Sequence, residues 1–136
     1  MEIKKGKFLK LLRDPNRFKT LEDGWVRDAL LGVEWGPTSE KEMPWETAKE
    51  YCAKLGGRLP EVNELQSLVD YSKRSPAINA DVFKDTKSSW YWTGTEVAGF
   101  SVLAWIVYFS NGYVGYYSKG TSSYVRPCRV SQSLGV

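Results

Sequence analysis

Residues 104–129, AWIVYFSNGYVGYYSKGTSSYVRPCR, constrain this chain more than any other stretch. Strand-like runs of Tyr, Val and Ile alternate there with Ser, Gly and Asn turns, the pattern of a surface built on a sheet rather than a catalytic centre. From Ser110 to Tyr124, Tyr, Ser and Gly make up 11 of 15 residues, and the only charge is Lys119. Antibody paratopes share that composition: Tyr gives rigid amphipathic contact area at low entropic cost, while Ser, Gly and Asn give adaptable hydrogen bonding. A plain antiparallel hairpin with a half-buried Tyr face accounts for any single Tyr. The density of the set, with so little charge, favours a binding face.

Charge divides the chain in the same place. Net charge is +3, and residues 1–96 balance at 16 basic against 16 acidic, so the excess comes from Lys119, Arg126 and Arg129. Three cations spread among aromatics do not make a phosphate-tracking patch, so nucleic acid is not the expected partner. The 136 residues, 42% hydrophobic, suit one domain with a self-sufficient core. No apolar run reaches the ~20 residues that span a bilayer. The start, MEIKKGKFLKLLRDPNRF, lacks the apolar region and cleavage site of a secretory signal, so a cytoplasmic or phage-associated protein is expected unless export takes another route. There is no His, which removes the commonest general base and metal ligand, and no cofactor is expected. Cys52 and Cys128 are too far apart for a CxxC signature. They are either two buried free thiols or a disulfide, which by loop entropy contributes roughly 4 kcal/mol.

Along the chain, residues 1–23 form an extension in which Phe8, Leu9, Leu11, Leu12 and Phe18 suit a short amphipathic turn stopped at Asp14-Pro15-Asn16. It packs against the domain or against a neighbouring subunit, the latter giving a homo-oligomer through this segment. A single domain then runs over 24–136. GWVRDALLGVEW reads as a hairpin about Gly32, with Trp25 and Trp35 facing the core. Helices are predicted near 44–55 and 61–73, each opened by a Pro, with Trp45, Ala48, Cys52 and Leu55 on one stripe and Val62, Leu65, Leu68 and Val69 on the other. Glu61 and Glu64 are first-turn acids, not a catalytic pair, since no base or nucleophile accompanies them. Residues 75–89 form a loop anchored by Ile78 and Phe83, after which Trp90 and Trp92 point to one face and Tyr91 to the other. The class is α+β, two helices on a small twisted antiparallel sheet, with much of the C-terminal third irregular.

The succession WETAKEYCAKL, GGRLPEVNELQSLVDY, WYWTGTE, AWIVYFSNGYV and YVRPCR resembles the bacterial and phage C-type-lectin-like domain of the kind that ends collagen-like adhesins. The likeness runs from about Gly24 to Arg129. The C-terminal third also resembles the variable proteins of diversity-generating retroelements, which mutate template adenines. AAY codons diversified in this way never yield Lys, Glu, Gln, Trp or Met, and between Val97 and Val125 only Trp105 and Lys119 are of those types.

The resemblance implies a scaffold of Trp92, Ala104, Trp105, Phe109, Gly112, Val114, Lys119, Tyr124, Val125, Arg126 and Arg129. It implies ligand-facing positions at Phe100, Val102, Leu103, Ile106, Tyr108, Ser110, Tyr113, Gly115, Tyr116, Tyr117, Ser118, Thr121, Ser122 and Ser123. Strand alternation agrees in outline, placing Ile106 and Tyr108 on the face opposite Trp105 and Phe109. Lectin-like domains commonly join the first helix to the last strand by a disulfide, and Cys52 and Cys128 occupy those places, with Cα atoms expected ~5 to 6 Å apart. The calcium-and-sugar tripeptides of true C-type lectins are absent, so no metal is carried over. The expected function is non-enzymatic recognition of a protein or glycan surface. The competing readings are a relative of the formylglycine-generating enzymes and a structural or assembly domain.

Overall fold

A computed structural model describes residues 6–131. The architecture is α+β: three short helices and two small antiparallel sheets, as suits a small lectin-like domain. In chain order the elements are α1 (Lys7–Leu12), β1 (Phe18–Thr20), β2 (Val26–Asp28), β3 (Val33–Trp35), α2 (Trp45–Lys54), α3 (Val62–Gln66), β4 (Trp90–Val97), β5 (Phe100–Tyr108), β6 (Tyr113–Ser118) and β7 (Cys128–Val130). One sheet has the order β1-β2-β3-β7 and the other β4-β5-β6. The last strand thus closes the first sheet, and the two ends of the fold meet there.

The β2–β3 hairpin turns at Gly32, whose φ of 70° is a conformation that glycine adopts without strain. Trp35 is fully buried and Trp25 nearly so. The organising polar group of this sheet is Asp28, with no exposed surface. Its carboxylate accepts hydrogen bonds from Arg17 Nε at 3.0 Å and Nη2 at 2.9 Å, from Trp35 Nε1 at 3.0 Å, and from the backbone N–H groups of Leu30 and Leu31. Arg17 also donates to the carbonyl and hydroxyl of Ser67, so the buried ion pair ties β2 to the end of α3.

Helix α2 follows its stripe: Trp45, Ala48 and Cys52 are buried, although Leu55 caps the helix and is 40% exposed. Helix α3 is shorter than its apolar periodicity predicts. The Ser67 hydroxyl donates to the Glu64 carbonyl at 2.7 Å, and the N–H groups of Leu68 and Val69 bond three residues back, so the helix ends in tight turns. Leu65, Leu68 and Val69 still reach the core, so the stripe marks burial correctly while the backbone leaves the helix. Glu64 closes the start of α3, accepting the Glu61 N–H at 2.7 Å and both terminal nitrogens of Arg58.

The irregular part of the C-terminal third is narrower than expected. Strands occupy most of 100–118, leaving 119–127 as the irregular connection. This connection is pinned from both sides: Met43 and Ser123 exchange backbone hydrogen bonds, and the Arg126 guanidinium donates to Gly36, Asp85 and Thr86. The N-terminal helix α1 contributes no buried residue; Leu11 and Leu12 are half-buried, and the Leu12 carbonyl accepts a hydrogen bond from Arg17.

Candidate functional site

The β4-β5-β6 sheet carries the Tyr-rich stretch, with both faces in use. Trp92, Ala104 and Ile106 pack with Trp45, Ala48 and Cys52 of α2, while Tyr91, Val107 and Phe109 join the core that contains Leu65, Ile78 and Phe83. Trp92 and Tyr91 therefore lie on opposite faces, as strand alternation requires. Two extra residues bulge β4 between Trp92 and Glu96, so that Glu96 rather than Gly94 stands opposite Ala104.

On the α2 side the pairing register lines up an aromatic row. Trp90 lies opposite Tyr108, and Tyr108 opposite Tyr113. The Trp90 and Tyr108 rings stack with centroids 4.0 Å apart and planes 15° from parallel. Tyr113 meets Trp90 edge-on at 6.1 Å, and Tyr117 tilts against it at 5.2 Å. Trp90, Tyr108 and Tyr117 are half-buried, whereas Tyr113 is 57% exposed. On the other face, half-buried Trp105 meets the exposed Tyr116 edge-on at 5.6 Å.

The row is held from beneath through Trp45. Its indole N–H donates to the Thr93 carbonyl at 2.9 Å, its backbone N–H donates to the Lys119 carbonyl, and the Lys119 ammonium lies 3.9 Å from its ring centroid. The same ammonium donates to Glu96 and holds that carboxyl below the usual carboxylate range. The one charge in the Tyr/Ser/Gly stretch is thus consumed in fixing loop 119–123 to the sheet. Arg126 and Arg129 are likewise paired, with Asp85 and with Glu34 and Asp23. The net positive charge of the C-terminal third is structural.

Among the predicted ligand-facing positions, Phe100, Val102, Tyr113, Tyr116, Ser118, Thr121 and Ser122 are exposed, and Leu103, Tyr108, Ser110 and Tyr117 are half-buried. Three are corrected by their burial. Ile106 is 1% exposed because it fills the space against α2, Gly115 lies opposite it under the Tyr113 ring, and Ser123 is enclosed by its backbone pairing with Met43. Of the residues implied as scaffold, Trp92 and Phe109 are fully buried aromatics, whereas Trp105 is only half-buried. Trp90 is the residue that sequence reasoning missed. Its place opposite Tyr108 depends on the register of two strands, whereas its own local alternation marks it only as sharing the face of Trp92.

Among the described residues, no group of three or more His, Cys, Asp or Glu is placed to hold a metal ion. Cys52 and Cys128 are buried free thiols, and burial pushes both up to about 12.

Residues 24–129 match the model of one family, described as the Lcl C-terminal domain. No match is found among curated proteins.

Proposed function

This chain belongs to the Lcl C-terminal domain family, and from that premise we propose that it is a non-enzymatic ligand-binding domain whose β4-β5-β6 surface recognises a protein or glycan. The observation that carries the reading is the Trp90, Tyr108, Tyr113 and Tyr117 cluster, with its rings partly open to solvent, on a sheet that also exposes Phe100 and Val102 at the far end of β5 and continues into a loop with exposed Thr121 and Ser122. Preorganised aromatic rings lose little entropy on binding, and aromatic anchors ringed by adaptable polar groups are where binding energy concentrates. Within this reading the domain is the variable protein of a diversity-generating retroelement, the exposed Tyr, Ser and Thr positions being those that vary over a fixed frame.

The enzyme reading is weaker on chemical grounds. A formylglycine-generating site needs a reactive thiolate, and a thiol titrating near 12 is almost wholly protonated at neutral pH. The test replaces Tyr108, Tyr113, Tyr116 and Tyr117 by Ala, singly and together, and follows thermal unfolding alongside capture on protein and glycan arrays. Retained folding with lost capture is the expected result. Capture that survives the quadruple replacement would sink the assignment. The retroelement is tested in the coding DNA: a neighbouring near-copy of the C-terminal region differing at adenines is expected, and its absence overturns that part.

A further inference from the structure

Helix α1 concentrates charge and exposed apolar surface in one short segment. Its six residues, KFLKLL, carry Lys7 and Lys10 and no acid. While the cations of the C-terminal third are paired, Lys7 and Lys10 make no ion pair among the described residues, and Arg13 only approaches Asp70 at 3.9 Å. Phe8 and Leu9 are 53% and 51% exposed, and no α1 side chain is buried. Beside α1 runs a groove of about 770 Å³, lined by Phe8, Leu12, Phe18, Leu68 and Val82, whose wall carries Arg13 and Lys73 balanced by Asp14 and Asp70, so the uncompensated positive charge is that of α1 itself.

We propose that α1 and this groove form a docking surface for a bilayer containing anionic lipid. A basic helix with Phe and Leu exposed settles into the headgroup region by burying its apolar side chains, and the negative surface potential of the membrane draws its cations. Charge selects this occupant over a second copy of the chain, because a two-fold contact through α1 would set Lys7 and Lys10 against their equals with no acid on the helix to pair them. A single short helix inserts shallowly, so the attachment is reversible and weakens with salt. The surface is separate from the aromatic row and does not depend on what that row binds.

The test sediments the full chain with vesicles of phosphatidylcholine alone or doped with phosphatidylserine, at low and high salt. Several-fold greater retention on the serine-containing vesicles is expected, falling as salt rises. K7Q/K10Q and F8S/L9S should each lower retention several-fold with melting temperature unchanged, since these side chains are not buried. Equal retention on both vesicle types, or none on either, overturns the proposal. Retention unaffected by F8S/L9S also overturns it, by reducing the effect to adsorption on a polyanion. Self-association lost in F8S/L9S, without vesicle binding by the parent chain, would assign the surface to a second copy instead.

Discussion

The Trp90 ring lies stacked on Tyr108, 4.0 Å between centroids, and the two residues come from strands paired directly across from one another. This contact makes the Tyr-rich hairpin and the strand before it one surface. Beneath it Trp92 is fully buried, with its indole N–H donating to the Met43 carbonyl at 2.8 Å. One strand therefore supplies both a surface ring and its support, two residues apart.

That division predicts unequal costs for tryptophan truncation. Trp92→Ala removes a fully buried ring and should cost about 3 to 5 kcal/mol. Trp105→Ala removes a half-exposed ring held chiefly by Tyr116 and should cost distinctly less. Urea midpoints for both variants check this, and equal losses would place Trp105 in the core.

The sequence made the faces legible and left the distances between strands obscure. Alternation put Trp92 and Tyr91 on opposite sides, and helical spacing identified Trp45, Ala48, Cys52 and Leu65 as core. Ile106 is buried and not ligand-facing because exposure depends on what lies above a face, and α2 covers that part of the sheet. The role of Trp90 is not legible in its own segment because its partners come from β5 and β6. Asp28 is equally hidden: nothing in the string WVRDAL singles it out, and only the return of Arg17 and Trp35 makes it a buried hub.

The Asp28 hub should be asymmetric under mutation. Asp28→Ala strands five hydrogen bonds from four residues, whereas Arg17→Met leaves the carboxylate with Trp35 Nε1 and the Leu30 and Leu31 N–H groups as donors. Breaking a buried ion pair costs about 3 to 5 kcal/mol, and Asp28→Ala should reach the upper part of that range or fail to fold. Arg17→Met should be milder, and the double variant no worse than Asp28→Ala alone. Denaturation of the three variants tests the ordering.

Gly112 sets the turn that brings Tyr113 beside Tyr108. Its φ is +88°, and a Cβ there would lie 2.6 Å from Val69 Cγ1 and 2.5 Å from Tyr71 Cε1. Tyr71 is itself fixed by donating from its hydroxyl to the Gly112 carbonyl at 2.8 Å. Gly112→Ala combines left-handed strain with overpacking and should cost about 1 to 3 kcal/mol. It should also alter the near-ultraviolet circular dichroism of the Trp90 cluster. A stable variant with an unchanged aromatic signal would show that the turn has room to spare.

The two buried thiols predict a loss of stability in alkali. An unfolded cysteine titrates near 8.5, whereas burial raises Cys52 and Cys128 in the folded chain to about 12. Between those values the unfolded state has released protons that the folded state retains, so raising pH favours unfolding. Their contribution is complete below pH ~8.5 and is lost progressively as pH rises toward about 12. Urea midpoints at pH 8 and pH 10, compared for the parent and Cys52→Ala/Cys128→Ala under reducing conditions, should show a steeper alkaline decline in the parent. In the native parent at pH 8, iodoacetamide should alkylate both thiols far more slowly than in urea. Rapid native alkylation would mean that the packing that buries the two thiols opens readily, and the expected alkaline dependence would disappear with it.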